Sequence, residues 1–423
     1  MAALGCQSCG CRPRPVHTAS SARKGVATWG LVAVALGLIA VATLVPTPHR
    51  AGGDATPFWC LGCGDYALAD ALVNVVLFVP LGWAIARTRI RVVTSLAVVL
   101  GTTVGIEWLQ HGFIPGRVAS MSDILTNTVG GAAGMTLPSL RCWIAASGER
   151  AVRASMLYAV LLVAALSAGA ATQAVPRAGM LRWTEGSGDR SRYAPFTGSL
   201  RALRVGGMPV TMRQWRRVEA GEAVEVAVDL LSGRPDTGLA QVAIAWLPTG
   251  SGWMWLEQRG RDLHLHLASA GDHSRLRGHS EWLNGILPAM PGEPVTIRLV
   301  VRRFSYRLVV ATKTSEVVRA ATVSPGDGWR LFSPFERAGQ RGAPFLTAAW
   351  LAVLVAPLGY LTSLRSPATA VVAAVGAGAS LLLLPIVSGC AWLPLSGWCG
   401  AASGFLGGSH GRARWRARAD VSH

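Results

Sequence analysis

The chain has 423 residues, 51% of them hydrophobic and only 15% charged, well below the quarter or so that a soluble domain carries. That balance excludes an ordinary soluble globular protein and points to helices in a bilayer. The formal charge of +18 would suit nucleic acid, but it is almost all arginine, lies beside apolar runs or in one polar block, and comes with no nucleic-acid motif.

Residues 1–25 form a basic tail rich in Ser, Pro and Cys. Cys6-x-x-Cys9-x-Cys11 with His17 has the chemistry of zinc ligands. The plainer expectation is an unstructured cytoplasmic tail with reduced thiols, and no metal or cofactor is expected in the chain. The apolar run Val26–Val45 has the roughly 20 residues a bilayer-crossing helix needs. It is too long for a signal-peptide core and lacks a clear cleavage site, so it reads as an uncleaved first span. The loop after it holds Trp59-Cys60-Leu-Gly-Cys63-Gly-Asp65. Outside the cytoplasm this cysteine pair would close a local disulfide. A redox enzyme is the sharper alternative, but no βαβ pattern surrounds the motif.

A second helix is expected over 66–87. It carries Asp70 and Asn74, four apart and so on one face, then Phe78-Val-Pro80-Leu-Gly82. The third, 92–110, carries Glu107 and Gln110 near its far end. A turn over 111–119 with Pro115-Gly116-Arg117 leads to a fourth helix. It starts near Ser120 or Ser122, good N-cap types, and reaches about Leu140, with Asp123 and Asn127 sharing a face. A fifth helix spans about 155–172.

Residues 176–343 change character. Glu222–Asp229, Asp262–Leu267 and Thr296–Val301 alternate polar and apolar residues between turn formers, which is the pattern of half-buried strands. The block is long enough for one antiparallel sandwich with its own core, and it contains no cysteine. Three more apolar runs follow, over 343–361, 368–387 and about 391–407, then an arginine-rich end. The expected fold class is therefore a polytopic α-helical membrane protein of about eight transmembrane helices, with an extracytoplasmic all-β jelly-roll sandwich between helices five and six. The expected parts are a cytoplasmic basic tail (1–25), a five-helix membrane domain (26–174), the sandwich (176–343), three further spans (344–408) and a basic cytoplasmic tail (409–423). Loop charges set the orientation. Arg87, Arg89 and Arg91, then Arg141, Arg150 and Arg153, then Arg365 and the C-terminal arginines all fall inside, as the positive-inside rule requires. Both termini are then cytoplasmic, in a plasma membrane.

That orientation brings Asp70, Asn74, Glu107, Gln110, Arg117, Ser122, Asp123 and Asn127 to one shallow outward-facing pocket. Ionisable groups at membrane depth are costly and are usually kept for function, although a lock of internally paired groups would place them the same way. Asn74-x-x-x-Phe78-x-Pro80-x-Gly82, Glu107-x-x-Gln110, Pro115-x-Arg117, Ser122-Asp123 and Asn127-x-x-Gly130 together resemble the VanZ-like membrane protein family over about residues 30–140. The resemblance implies a bacterial multi-spanning envelope protein with these residues as its characteristic polar set. The family takes its name from a protein associated with low-level resistance to the glycopeptide teicoplanin, and the resemblance implies no particular reaction. More weakly, Ser191-Arg-Tyr193-Ala-Pro-Phe196-Thr-Gly198 through Val205 is similar to concanavalin A-like or laminin-G-like jelly rolls, which implies carbohydrate binding, with Trp253 and Trp255, two apart on one strand face, reading equally as stacking candidates or as core. His264 and His266 share a strand face as a weak metal candidate beside the plainer reading of an exposed polar face.

Three functions stay open. The first is a non-catalytic protein that binds an envelope lipid or lipid-linked wall glycan at the pocket, with the sandwich binding carbohydrate. The second is a membrane enzyme, with Glu107 or Asp123 as general base and Arg117 stabilising charge. The third is a transporter or scramblase, although no inverted repeat of the transporter kind is visible.

Overall fold

The computed structural model describes residues 18–46, 57–88, 90–115, 117–186, 193–218, 223–235, 238–332, 339–363 and 367–420. The zinc candidates Cys6, Cys9, Cys11 and His17 lie outside the described residues, as do Glu222, Arg89 and Arg365.

Among the described residues there are eight long helices: α1 (Thr18–Leu44), α2 (Ala67–Ala86), α3 (Val92–Phe113), α4 (Met121–Ala145), α5 (Gly148–Thr172), α6 (Gly339–Thr362), α7 (Pro367–Ser388) and α8 (Leu395–Asp420). Among the described residues, six segments are long and apolar enough to cross a membrane: 26–44, 67–86, 92–113, 148–172, 342–362 and 371–388. α4 and α8 fall short of that composition. Their surfaces are rich in glycine, serine and alanine, which suit contact with another helix better than contact with lipid. α5 begins at Gly148, earlier than its arginines suggested. Glu149 and Arg153 pair across one turn, and Arg150 lies over the Trp143 ring, so both arginines fit the helical first turns.

The chain divides into two compact units, residues 1–158 with 361–369, and 159–360 with 370–423. In the first, α4 packs closely on α2. A Cβ on Gly130 would lie 2.2 Å from the Val75 carbonyl oxygen, and one on Gly134 2.1 Å from that of Val79. Gly82 faces the Gly131 carbonyl oxygen just as tightly. The two backbones touch, which only glycine permits, and small residues at such crossings maximise van der Waals contact between helices in lipid. Phe78, Leu81, Ile85, Val99, Ile106 and Ile39 form the core beside this crossing.

The second unit is dominated by two six-stranded antiparallel sheets. The strands are β1 (Met180–Thr184), β2 (Ser199–Val205), β3 (Met208–Pro209), β4 (Trp215–Arg217), β5 (Ala223–Leu231), β6 (Leu239–Trp246), β7 (Gly252–Arg259), β8 (Asp262–Leu267), β9 (His279–Leu283), β10 (Pro294–Arg302), β11 (Ser305–Ala311) and β12 (Glu316–Thr322). Their orders are β4-β1-β6-β7-β8-β9 and β12-β11-β10-β5-β2-β3. Alternation decides the faces. Leu263, Leu265 and Leu267 of β8, with Ile297 and Leu299 of β10, point into a shared core with Trp183, Trp253 and Leu308. The sheets close on this layer as a sandwich. A 3₁₀ segment, Pro325–Leu331, follows β12 and leads towards α6.

Candidate functional site

The polar residues singled out in the sequence collect at one end of the α1–α4 unit, where α1 and α3 end and α2 and α4 begin. Ser120 is the N-cap of α4, and its hydroxyl accepts the Asp123 N–H at 3.1 Å. Asp123 thus sits in the first helical turn, where the helix dipole favours an anion. Its carboxylate in turn accepts the Asn74 amide at 2.8 Å, which ties α2 to α4. Glu107, almost fully buried in α3, accepts the Ser120 backbone N–H at 2.8 Å. One carboxylate therefore holds the turn that aims the other.

Gln110 and Arg117 do a different task. The Gln110 amide donates to the Thr43 carbonyl at 2.9 Å. Arg117 donates to the carbonyls of Ala42 at 3.0 Å and Val45 at 3.3 Å. These carbonyls lie at or just past the end of α1, where the chain's carbonyls have no partner within the helix and a cation is favoured. Deeper in, the buried Asn127 donates its amide to the Thr103 hydroxyl at 2.8 Å, while its carbonyl oxygen is buried with no hydrogen-bond partner. Asp70 lies in the first turn of α2, half-buried, one turn before Asn74. Ser122 is half-buried at the start of α4, and its carbonyl accepts the Thr126 hydroxyl at 2.9 Å.

The structure thus places all eight sequence candidates at or just below one end of the unit, and it adds three residues. Thr43, Thr103 and Ser120 are the partners that make the arrangement close. Thr43 and Thr103 are buried. Their signal in the sequence was weak, because a threonine inside an apolar helix usually satisfies itself on the preceding turn, as Thr43 also does on the Ile39 carbonyl. The loop before α2 covers the same end. Cys60 and Cys63 are disulfide-bonded, and the Phe58 carbonyl accepts the Met121 N–H at 2.8 Å.

Chemically, this end is rich in acceptors. It carries the carboxylates of Asp70, Glu107 and Asp123 and the unpartnered carboxamide oxygen of Asn127. Among the described residues there, the Arg117 guanidinium is engaged on helix carbonyls. Such a surface suits a group that offers hydroxyl, ammonium or amide N–H donors better than it suits a bare phosphate.

In the sandwich, Trp253 is 1% exposed and donates to the Pro176 carbonyl at 3.0 Å, so it is a core residue and offers no stacking face. Trp255 and Trp282 are half-buried. Trp255 packs edge-on to His266, and Trp282 stacks on His264. His264 bridges Glu257 at 2.8 Å and Ser280 at 2.7 Å. Both histidines are thus tied into side-chain networks, His266 through Asp272. No group of three or more metal-ligating side chains occurs among the described residues. His279 donates to the Gln173 carbonyl at 2.7 Å, and desolvation pushes its pKa below the ordinary histidine value. Burial and the neighbouring Glu281 push Tyr306 well above the ordinary phenol value.

Long apolar helices, a glycine-sealed helix crossing and a folded β domain between helices define a multi-pass membrane protein. Residues 32–142 match the VanZ/LLP1 family; that segment comprises most of α1, all of α2 and α3, and nearly all of α4. No curated protein and no solved structure matches the chain.

Proposed function

We propose that the chain is a non-catalytic protein of the bacterial envelope, and that the polar end of α1–α4 binds the head group of a membrane lipid or lipid-linked wall glycan. The observation that carries this reading is the fixed, acceptor-rich arrangement around Asp123. Glu107 and Asp123 are each held in place by an N–H of the chain, and the buried Asn127 oxygen has no protein partner. The disulfide in the adjoining loop suits an oxidising compartment. With the loop charges, it supports placing this end on the outer side, with both termini in the cytoplasm and the sandwich also outside. If wall precursor is the natural ligand, deletion of the gene raises sensitivity to glycopeptide antibiotics.

The test uses the full chain in nanodiscs. Phosphatidylethanolamine, which presents an ammonium donor, and a polyprenyl monophosphate, which presents none, are titrated and followed by native mass spectrometry. Retention of the amine lipid, with its loss in Asp123→Asn at unchanged melting temperature, supports the site. Equal affinity for both lipids in wild type and variant sinks it.

A second reading is the internal lock, in which the same bonds only hold the bundle. It is favoured by the bonds that join α2 to α4, α3 to α4 and α3 to α1. It expects loss of abundance, rather than loss of binding, in the same variants. An enzyme would need Arg117 near developing charge, whereas its guanidinium caps α1. A transporter remains the third alternative.

For the sandwich we propose carbohydrate binding at the face of β7–β9, where half-buried Trp255 and Trp282 lie among His264, His266 and Ser280. Aromatic surface beside hydrogen-bonding groups suits sugars, which present both C–H faces and hydroxyls. Failure of the full chain to bind any polysaccharide on a glycan array would remove this assignment.

A further inference from the structure

The contact between α6 and α8 repeats the one between α2 and α4. A Cβ on Gly404 would lie 2.2 Å from the Ala352 carbonyl oxygen, as one on Gly130 lies 2.2 Å from that of Val75. A Cβ on Gly408 would meet the Ala356 oxygen at 2.1 Å and the Tyr360 nitrogen at 2.9 Å. One on Gly134 would meet the Val79 oxygen at 2.1 Å and the Trp83 nitrogen at 2.8 Å. From the other side, Gly359 faces the Phe405 oxygen at 2.1 Å, and Gly82 faces the Gly131 oxygen at 1.9 Å. These contacts fix a single register, in which Phe78-Val-Pro80-Leu-Gly82-Trp83 lies on Val355-Ala-Pro357-Leu-Gly359-Tyr360. Exposure agrees along it. Leu81 and Leu358 are both 0% exposed, Phe78 and Val355 are 0% and 4%, and Val76 and Val353 are both 69%. α3 and α7 are each 22 residues long and lie between these helices in the chain.

The chain at the end of each first helix is served in a similar way, although Ala42 and Thr43 lie within α1 and the three matching carbonyls follow the end of α5 at Thr172. At the end of α1, the carbonyls of Ala42, Thr43 and Val45 take donors from Arg117 and Gln110. After α5, with the same spacing, the carbonyls of Gln173, Ala174 and Pro176 take the His279 ring N–H at 2.7 Å, the Ala270 N–H at 2.9 Å and the Trp253 indole N–H at 3.0 Å. All three of these donors belong to the β domain. In the common register Asn74 becomes Leu351, Asp123 becomes Gly397 and Asn127 becomes Ala401. Asp70 becomes Thr347, which accepts the Trp329 indole N–H at 3.0 Å and donates to Asp327 at 3.1 Å. Gly326 presses on Leu393, Thr347 and Leu351 so closely that a Cβ would come within 2.7–3.0 Å of each.

We infer that residues 148–420 contain a second, degenerate copy of the α1–α4 unit, made of α5, α6, α7 and α8, with the β-sandwich inserted between its first and second helices. The packing of the copy is kept and its polar set is gone. The sandwich and the 3₁₀ segment that follows it fill the mouth and serve the carbonyls just after the first helix, so the copy is a mount for the sandwich and, among the described residues, only the α1–α4 copy keeps the polar set. This does not depend on what the polar site binds.

The test is pulsed electron–electron spectroscopy on the full chain in nanodiscs, with spin-labelled residues incorporated at Val76 and Val129, or at the matching exposed positions Val353 and Ser403. Coincident distance distributions for the two pairs are expected, and distinct distributions would overturn the inference. Should the labelled chains fail to fold, a cryo-electron microscopy map of the unlabelled chain decides. Superposition of α2–α4 on α6–α8 in that map supports the repeat, and different helix crossings exclude it.

Discussion

At the scale of single residues, the polar end of α1–α4 separates structural from ligand-facing groups by what each already touches. Arg117 and Gln110 are spent on the carbonyls of α1, so Arg117→Ala should lower the thermal stability of the unit. The Asn74–Asp123 and Asn127–Thr103 bonds are interhelical hydrogen bonds of a kind that contributes about 0.6 kcal/mol in bilayers. Glu107→Gln and Asp123→Asn are therefore expected to shift stability by no more than about 1 kcal/mol. Abundance and melting temperature measured beside lipid binding will show whether a loss of function exceeds that small effect. His279 sets a pH dependence in the sandwich. Its pKa is lowered in the fold, so the unfolded chain takes up the proton first. Stability is complete above the unfolded value of about 6.5 and falls as pH drops from there through the lower folded value. Denaturation melts of the full chain between pH 8 and about pH 5 should show that loss, and His279→Gln should flatten it.

At the scale of elements, the glycine crossings are the most exacting feature. Gly404→Leu would drive a side chain into the Ala352 backbone and should destabilise the second unit by about 1–3 kcal/mol or more. Gly407→Leu meets open space and should stay within about 0.5 kcal/mol of wild type. Equal loss in both, read as the detergent melting temperature, would contradict the packing. Much of this level was legible in the sequence. The periodicity placed β8 at Asp262–Leu267 to the residue and gave every long helix, because apolar pattern and length dominate there. What was not legible is instructive. Trp253 and Trp255 looked like a pair on one strand face, but Trp253 itself is buried, with its indole on the Pro176 carbonyl, and only Trp255 keeps some exposure. The threonine partners of Gln110 and Asn127 were invisible because partnership between helices depends on helix rotation, which spacing along one helix leaves open. The second Pro-Leu-Gly, at Pro357, stood in the sequence from the start, but three residues carry no weight until shared backbone contacts show that they occupy equivalent places.

At the scale of the whole molecule, the two units handle the same physical problem differently. Each has carbonyls at or just after the end of its first helix to satisfy. The α1–α4 unit does so with side chains of its own polar set. In the α5–α8 unit a folded domain donates instead, and there the acids and amides have disappeared. Polar side chains in a membrane domain are costly, so their loss where the sandwich supplies donors argues that capping alone does not require the carboxylates. Gln110 and Arg117 are explained by α1, while the buried Asn127 oxygen, which has no hydrogen-bond partner, is what remains for a ligand.

The most direct measurement of that conclusion is native mass spectrometry of the full chain titrated with phosphatidylethanolamine, in wild type, Asp123→Asn and Leu351→Ala, the last being the second copy's counterpart of Asn74, next to Gly326. The expected result is one tightly held lipid per chain in wild type and Leu351→Ala, and none in Asp123→Asn, with Asp123→Asn still folded. Two equivalent lipids in wild type, or one that survives Asp123→Asn unchanged, would contradict a single acceptor-rich site in α1–α4.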